Sequence, residues 1–163
     1  MDYNHFQYGE ALAASLKAVA HTPENRKFFT ATEEEEFLSV EDSLSSVTGT
    51  FLVAIDGSNS DLSYQPDNMT ERPQYFFVIL RNTESSGAHT ISAAQSHSLR
   101  IARQVIARMM QDYTLCRSGL QSLDPDSFVI RGVGPIGDNF YGVLVGFNLL
   151  RSFPYTLDPR YWL

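Results

Sequence analysis

The chain has 163 residues and a mass of 18.3 kDa, which gives room for one hydrophobic core and not for two independent ones. Hydrophobic residues make up 43% and charged residues 19%, a balance that excludes a disordered chain. With 12 Lys and Arg against 19 Asp and Glu the net charge is −7, the wrong sign for a protein that works by neutralising phosphates, so no specific nucleic-acid binding is expected.

Cys116 is the single cysteine, so an internal disulfide and a Cys-rich zinc site are both excluded. The opening residues MDYNHFQYGE lack the basic and apolar stretches of a secretion signal, and the expectation is a protein made inside the cell. The apolar runs Tyr75 to Leu80 and Tyr141 to Leu150 are far shorter than the roughly 20 residues of a membrane span, so no membrane partner is expected.

Taken in chain order, residues 7–20 predict a helix, because Tyr8, Leu12, Leu16 and Val19 recur at helical spacing among alanines. Thr22, Pro23 and Glu24 carry the N-cap, N1 and first-turn chemistry of a second, short helix. Residues 30–48 give no clean period despite the capping-box pair Thr32 and Glu35, and read as a loop with one helical turn. Thr50 to Asp56 and Gln74 to Arg81 are strands, apolar on both faces. Between them, residues 57–73 are rich in Ser, Asn, Asp and Pro. A connection of this length predicts a mobile projecting loop.

Residues 90–114 form the clearest helix. Ile91, Ala94, Ser98, Ile101, Ala102, Val105, Ile106, Met109 and Tyr113 share one face, and Arg100, Arg103, Gln104, Arg108 and Gln111 the opposite one. Ser127 to Val133 and Asn139 to Leu150 are the last two strands, joined through the turn chemistry of Pro135 to Asp138. The fold class is therefore α+β. The expected architecture is a mainly antiparallel four-stranded sheet of two hairpins, with the long helix and the N-terminal helix on one face. Residues 1–152 form the single domain, and residues 153–163 an apolar C-terminal tail.

Catalytic and ligand signatures are weak. Gly132 to Gly137 match G-x-G-x-x-G, but an alternating apolar strand follows where dinucleotide binding requires a helix N-terminus, so a glycine-rich hairpin turn is the better reading. Among His5, His21, His89 and His97, the pair on the long helix is too widely spaced for i, i+4 chelation. Cys116 has Arg117 beside it but no nucleophile motif, and reads as a buried structural thiol. No serine sits in a G-x-S-x-G elbow. No catalytic, cofactor-binding or metal-binding residue is assigned, and no cofactor is expected.

Two features offer an interface as the alternative to a solvated helix surface for the first and to a tail folded back on its own domain for the second. One is the row Arg100, Arg103 and Arg108 in an acidic protein that also carries Glu33 to Glu36. The other is the tail SFPYTLDPRYWL, whose Tyr155, Tyr161, Trp162 and Leu163 are too apolar for a frayed end. These seven residues are the candidate subunit interface.

The element order resembles that of the tail-terminator (tail-completion) and neck proteins of long-tailed phages and prophages. An N-terminal amphipathic helix around Ala11 to Ala20 precedes a strand pair with a long loop. A long helix, LRIARQVIARMMQDY, then crosses the sheet, and a final hairpin enters the aromatic-rich strand DNFYGVLVGFNLL. The likeness covers most of residues 5–150 and leaves out residues 30–48 and the tail after Ser152. It implies a non-enzymatic structural protein located in the virion tail or neck. Such a protein is a homo-oligomeric ring of six subunits that caps the tail tube and joins it to the head connector, with tail-tube and head-connector proteins as partners. The alternative is a small α+β ligand-binding module or enzyme with a cleft between the long helix and the sheet.

Overall fold

The computed structural model of the chain describes residues 2–32, 48–66, 68–83, 87–137 and 139–163. The expected turn in 30–48 therefore falls largely outside the described residues. Helix α1 (His5–Ser15) opens the chain, capped by Asn4, whose side chain accepts from the Gln7 amide. Strand β1 (Phe28–Ala31) follows, then β2 (Thr50–Gln65) and β3 (Asn68–Asn82). The long helix α2 (Ala88–Thr114) leads through a 3-10 turn at Leu120–Ser122 into β4 (Leu123–Ile136), β5 (Phe140–Leu149) and the two-residue β6 (Arg151–Ser152).

The described strands form one six-stranded mixed sheet in the order β1-β2-β3-β5-β4, with β6 pairing β3. The two expected hairpins are present and their pairing is antiparallel. The expected mainly antiparallel sheet of four strands is corrected to six by two additions. β1 pairs parallel to β2, from Phe28 opposite Leu52 to Ala31 opposite Ile55. β6 extends β5 along β3 in the same register, with Glu71 opposite Arg151 and Gln74 opposite Asn148. A four-residue strand, FFTA, has no room to display a period, so hydrophobic patterning passes over it.

Residues 57–73 are the second correction. They continue β2 and β3 past an irregularity between Asp56 and Ser60 into a paired ribbon, from Ser60 opposite Pro73 to Gln65 opposite Asn68. Backbone pairing needs no apolar side chain, so a polar sequence hides it. The short helix expected after Thr22 is instead a turn, in which the Asn25 amide donates to the Thr22 hydroxyl. Helix α1 stops at Ser15, five residues short of the expected end, and Ala20 takes a positive φ.

Both faces of the sheet are buried. Leu52, Ala54, Phe77, Ile79, Val143, Val145 and Phe147 pack beneath α1 and α2, together with Leu12, Ala102, Val105 and Met109. Phe51, Val53, Val78, Leu80 and Phe140 form a second buried cluster with Phe29 of β1 on the other face. This accounts for central strands apolar at every position rather than at every second one.

Candidate functional site

The arginine row divides once its partners are known. Arg100 and Arg103 are exposed on α2 and make no ion pair among the described residues. Arg108 Nε donates to Asp112 Oδ2 at 2.9 Å, and the same oxygen accepts from the Tyr8 hydroxyl at 2.9 Å. Asp112 is only 2% exposed, so Nε of Arg108 holds a buried carboxylate between the two helices. That bond, with the nearby charge, keeps the Arg108 guanidinium above its ordinary range. Burial, then the bond to Asp112, pushes the Tyr8 phenol up. The pattern Val105, Met109, Asp112 places this acid on the apolar stripe, and that position was the sequence's signal for a buried polar partner.

A second polar centre lies under α1. His5 Nε2 is 3.0 Å from the Phe76 carbonyl and Nδ1 is 3.0 Å from the Tyr3 hydroxyl. A carbonyl only accepts, so Nε2 carries the proton and Nδ1 accepts from Tyr3. The ring stacks on Phe77 with 4.6 Å between centroids, beside Tyr75 and Phe147. Burial lowers its pKa from 6.5 to about 4, against opposing contributions from the Phe76 bond and Asp56. Burial also raises the phenols of Tyr3 and Tyr75.

An open polar cleft of about 390 Å³ adjoins this centre, lined by Asp2, Tyr3, Gly119, Gln121, Ser122, Leu149 and Arg151. Its wall turns on left-handed backbone at Cys116, Ser118 and Gly119. At Gly119 a Cβ would lie 2.4 Å from the Tyr3 amide nitrogen, so only glycine lets the N-terminal segment pack there. Cys116 is exposed in this turn, which corrects the expected buried thiol; the helix ends at Thr114 and carries the thiol beyond its apolar face. His97 accompanies the Thr50 hydroxyl at 3.0 Å, and burial, with Arg81 and Arg100, lowers its pKa. Among the described residues no three His, Cys, Asp or Glu converge as a metal site, and no helix is long and apolar enough to cross a membrane. Gly132 to Gly137 span the end of β4 and its turn towards β5, with Gly134 and Gly137 at positive φ.

The tail is the most exposed apolar segment. After β6, the Phe153 amide donates to the Met69 carbonyl, which anchors the chain beside the ribbon. Beyond that point Tyr155, Leu157 at 71%, Tyr161 and Trp162 at 67% exposure lie open. A short 3-10 turn at Pro159–Tyr161 is capped by Asp158. Arg160 forks onto the Asp158 carboxylate, which holds that carboxyl below its usual range.

A site that composition did not reveal is the outer edge of β4. Among the described residues this strand ends the sheet and pairs with β5 alone. Val129 is 38% and Ile130 40% exposed. Edge position depends on strand order, which a lone strand's sequence does not encode. Comparison of the chain with models of known families, with curated proteins and with solved structures finds no match.

Proposed function

We propose that the chain is a non-enzymatic structural protein of a phage or prophage tail, of the tail-terminator or neck type. It self-associates head to tail into a ring that caps the tail tube and joins it to the head connector. One observation carries the self-association: a single subunit bears two different surfaces without a partner among the described residues, the open β4 edge with Val129 and Ile130 and the exposed tail with Tyr155, Leu157, Tyr161 and Trp162. Unlike patches generate heterologous contacts, and such contacts close into rings when the rotation permits. The assignment to a tail or neck rests on the resemblance in element order, from α1 through the β2–β3 pair and α2 to the β4–β5 hairpin.

The alternative of a ligand cleft between α2 and the sheet has less support, because that interface is filled by fully buried Ala102, Val105, Met109, Val145 and Phe147. Arg100 and Arg103 remain in the proposed interface as exposed cations. Arg108, whose side chain is 53% exposed, enters it through the guanidinium nitrogens other than the Nε that Asp112 holds. Native mass measurement over a range of concentrations tests the reading. A closed species of one size, six subunits in the ring that the resemblance implies, is the expected result. A monomer at every concentration overturns it.

A further inference from the structure

We infer that residues 155–158 of one copy add as a strand in a second copy, to the edge of β4 that is free among the described residues. The inference rests on the head-to-tail reading above and supplies its contact. Three observations lead to it. After Phe153 and Pro154, the stretch Tyr155-Thr156-Leu157-Asp158 alternates apolar and polar residues, the pattern of a half-buried strand. It is not in a strand, and among the described residues the amides of Tyr155, Thr156, Leu157 and Asp158 have no hydrogen-bond partner. It is therefore patterned for pairing and lacks a pair.

β4 offers the matching half. Residues 129–133 pair with β5 on one side, from Val129 opposite Gly146 to Val133 opposite Gly142, and their other side ends the sheet. An edge strand carries a row of unmet amides and carbonyls, and an exposed apolar one is a template for strand addition. Val129 and Ile130 point to opposite faces, so an added strand shields both. Pro125 and Pro135 bracket the open stretch, as Pro154 and Pro159 bracket the tail segment. Both pairing lengths are thus limited to a few residues.

Chain reach decides between the same copy and a second one. Phe153 is fixed beside Met69, and β6 continues the line of β5. Val129 lies level with Gly146, seven residues back along that line, or about 23 Å at the strand rise of about 3.3 Å per residue. The free side of β4 is a further two strand spacings, about 10 Å, away. Leu157 is four residues from the Phe153 anchor and reaches at most about 14 Å. The alternating segment cannot reach residues 129–133 of its own subunit, whereas nothing in this geometry prevents it from reaching those of a neighbour.

Cross-linking and backbone substitution test the contact. In a Cys116→Ser background, Val129→Cys and Leu157→Cys chains are purified separately, mixed and treated with a short bismaleimide. A covalent dimer from the mixture, absent from either chain alone, is expected. Thr156→Pro and Leu157→Pro each remove one amide, and alternate amides point to opposite sides. One of the two variants should therefore weaken association at least tenfold while both keep the parent circular dichroism spectrum and thermal midpoint. An oligomer that gives no mixed cross-link and tolerates both prolines overturns the strand addition and leaves head-to-tail association standing. A strict monomer overturns both.

Discussion

His5 donates from Nε2 to Phe76 and accepts at Nδ1 from Tyr3, so a second ring proton would reverse the Tyr3 bond and place a charge inside an aromatic cage. The folded pKa is about 4 against 6.5 for the free side chain. Between those values the unfolded chain binds the proton and the folded chain does not, so stability rises with pH across that window. The contribution is fully present above about pH 6.5 and is lost as pH falls towards 4, amounting to about 3 kcal/mol at roughly 1.4 kcal/mol per pKa unit. Urea titrations at pH 7, 5.5 and 4 should show this loss. The slope should flatten in His5→Gln, which is less stable at pH 7 but carries no titrating ring. An equal slope in that variant would assign the acid sensitivity to other groups.

The Arg108–Asp112 ion pair on α2, which meets α1 at Tyr8 one helical turn from His5, answers differently. Asp112→Ala strands the Tyr8 hydroxyl, and also removes the partner of Arg108. Loss of a buried acceptor of this kind costs about 2–4 kcal/mol. Arg108→Glu sets a second carboxylate beside Asp112 and should destabilise the fold. The double change Arg100→Glu with Arg103→Glu touches no ion pair among the described residues and should leave the thermal midpoint within about 2 °C. Thermal melts of the three variants check the ranking. Assembly phenotypes of Arg108 variants can be interpreted only alongside those melts.

At the scale of elements, legibility followed side-chain periodicity. α2 was readable because Ala94, Ser98, Ile101, Ala102, Val105 and Met109 are buried at the spacing that the sequence displays. β5 was readable because Tyr141, Val143, Val145, Phe147 and Leu149 alternate and are all buried. What escaped was held by backbone or by long-range order. The ribbon of residues 60–73 is defined by ladder pairing, with Leu62 and Tyr64 left exposed, so its composition resembles a loop. β1 gains its place from β2, which lies beyond residues 32–49, and no window of sequence contains both partners. The candidate site divides in the same way. The apolar tail was visible from composition, while the β4 edge and the Asp112 pairing depend on which elements become neighbours.

At the scale of the whole molecule, net charge and open surfaces act against each other. A subunit at −7 repels its own copies, so association must draw on apolar contact or on exposed cations such as Arg100 and Arg103. Trp162, the single tryptophan, reports which contact forms. It is 67% exposed and sits two residues from the tie between Arg160 and Asp158. The isolated subunit should therefore emit at the long wavelength of a solvated indole. Pro154 and Pro159 restrict the segment, which lowers the ordering cost when it docks. If the tail docks on a neighbour, Trp162 is carried to the interface with Tyr161 and Leu163, and aromatic anchors of this kind contribute disproportionately to binding. Emission should then shift to the blue as concentration rises, with the same midpoint as the change in mass. Removing residues 153–163 should abolish association and leave the thermal midpoint within about 3 °C, because the tail's large side chains contribute little to the subunit's core. Blue emission that does not change with dilution would place the tail on its own domain. Solvent-like emission from a fully assembled species would show that the ring forms without burying Trp162.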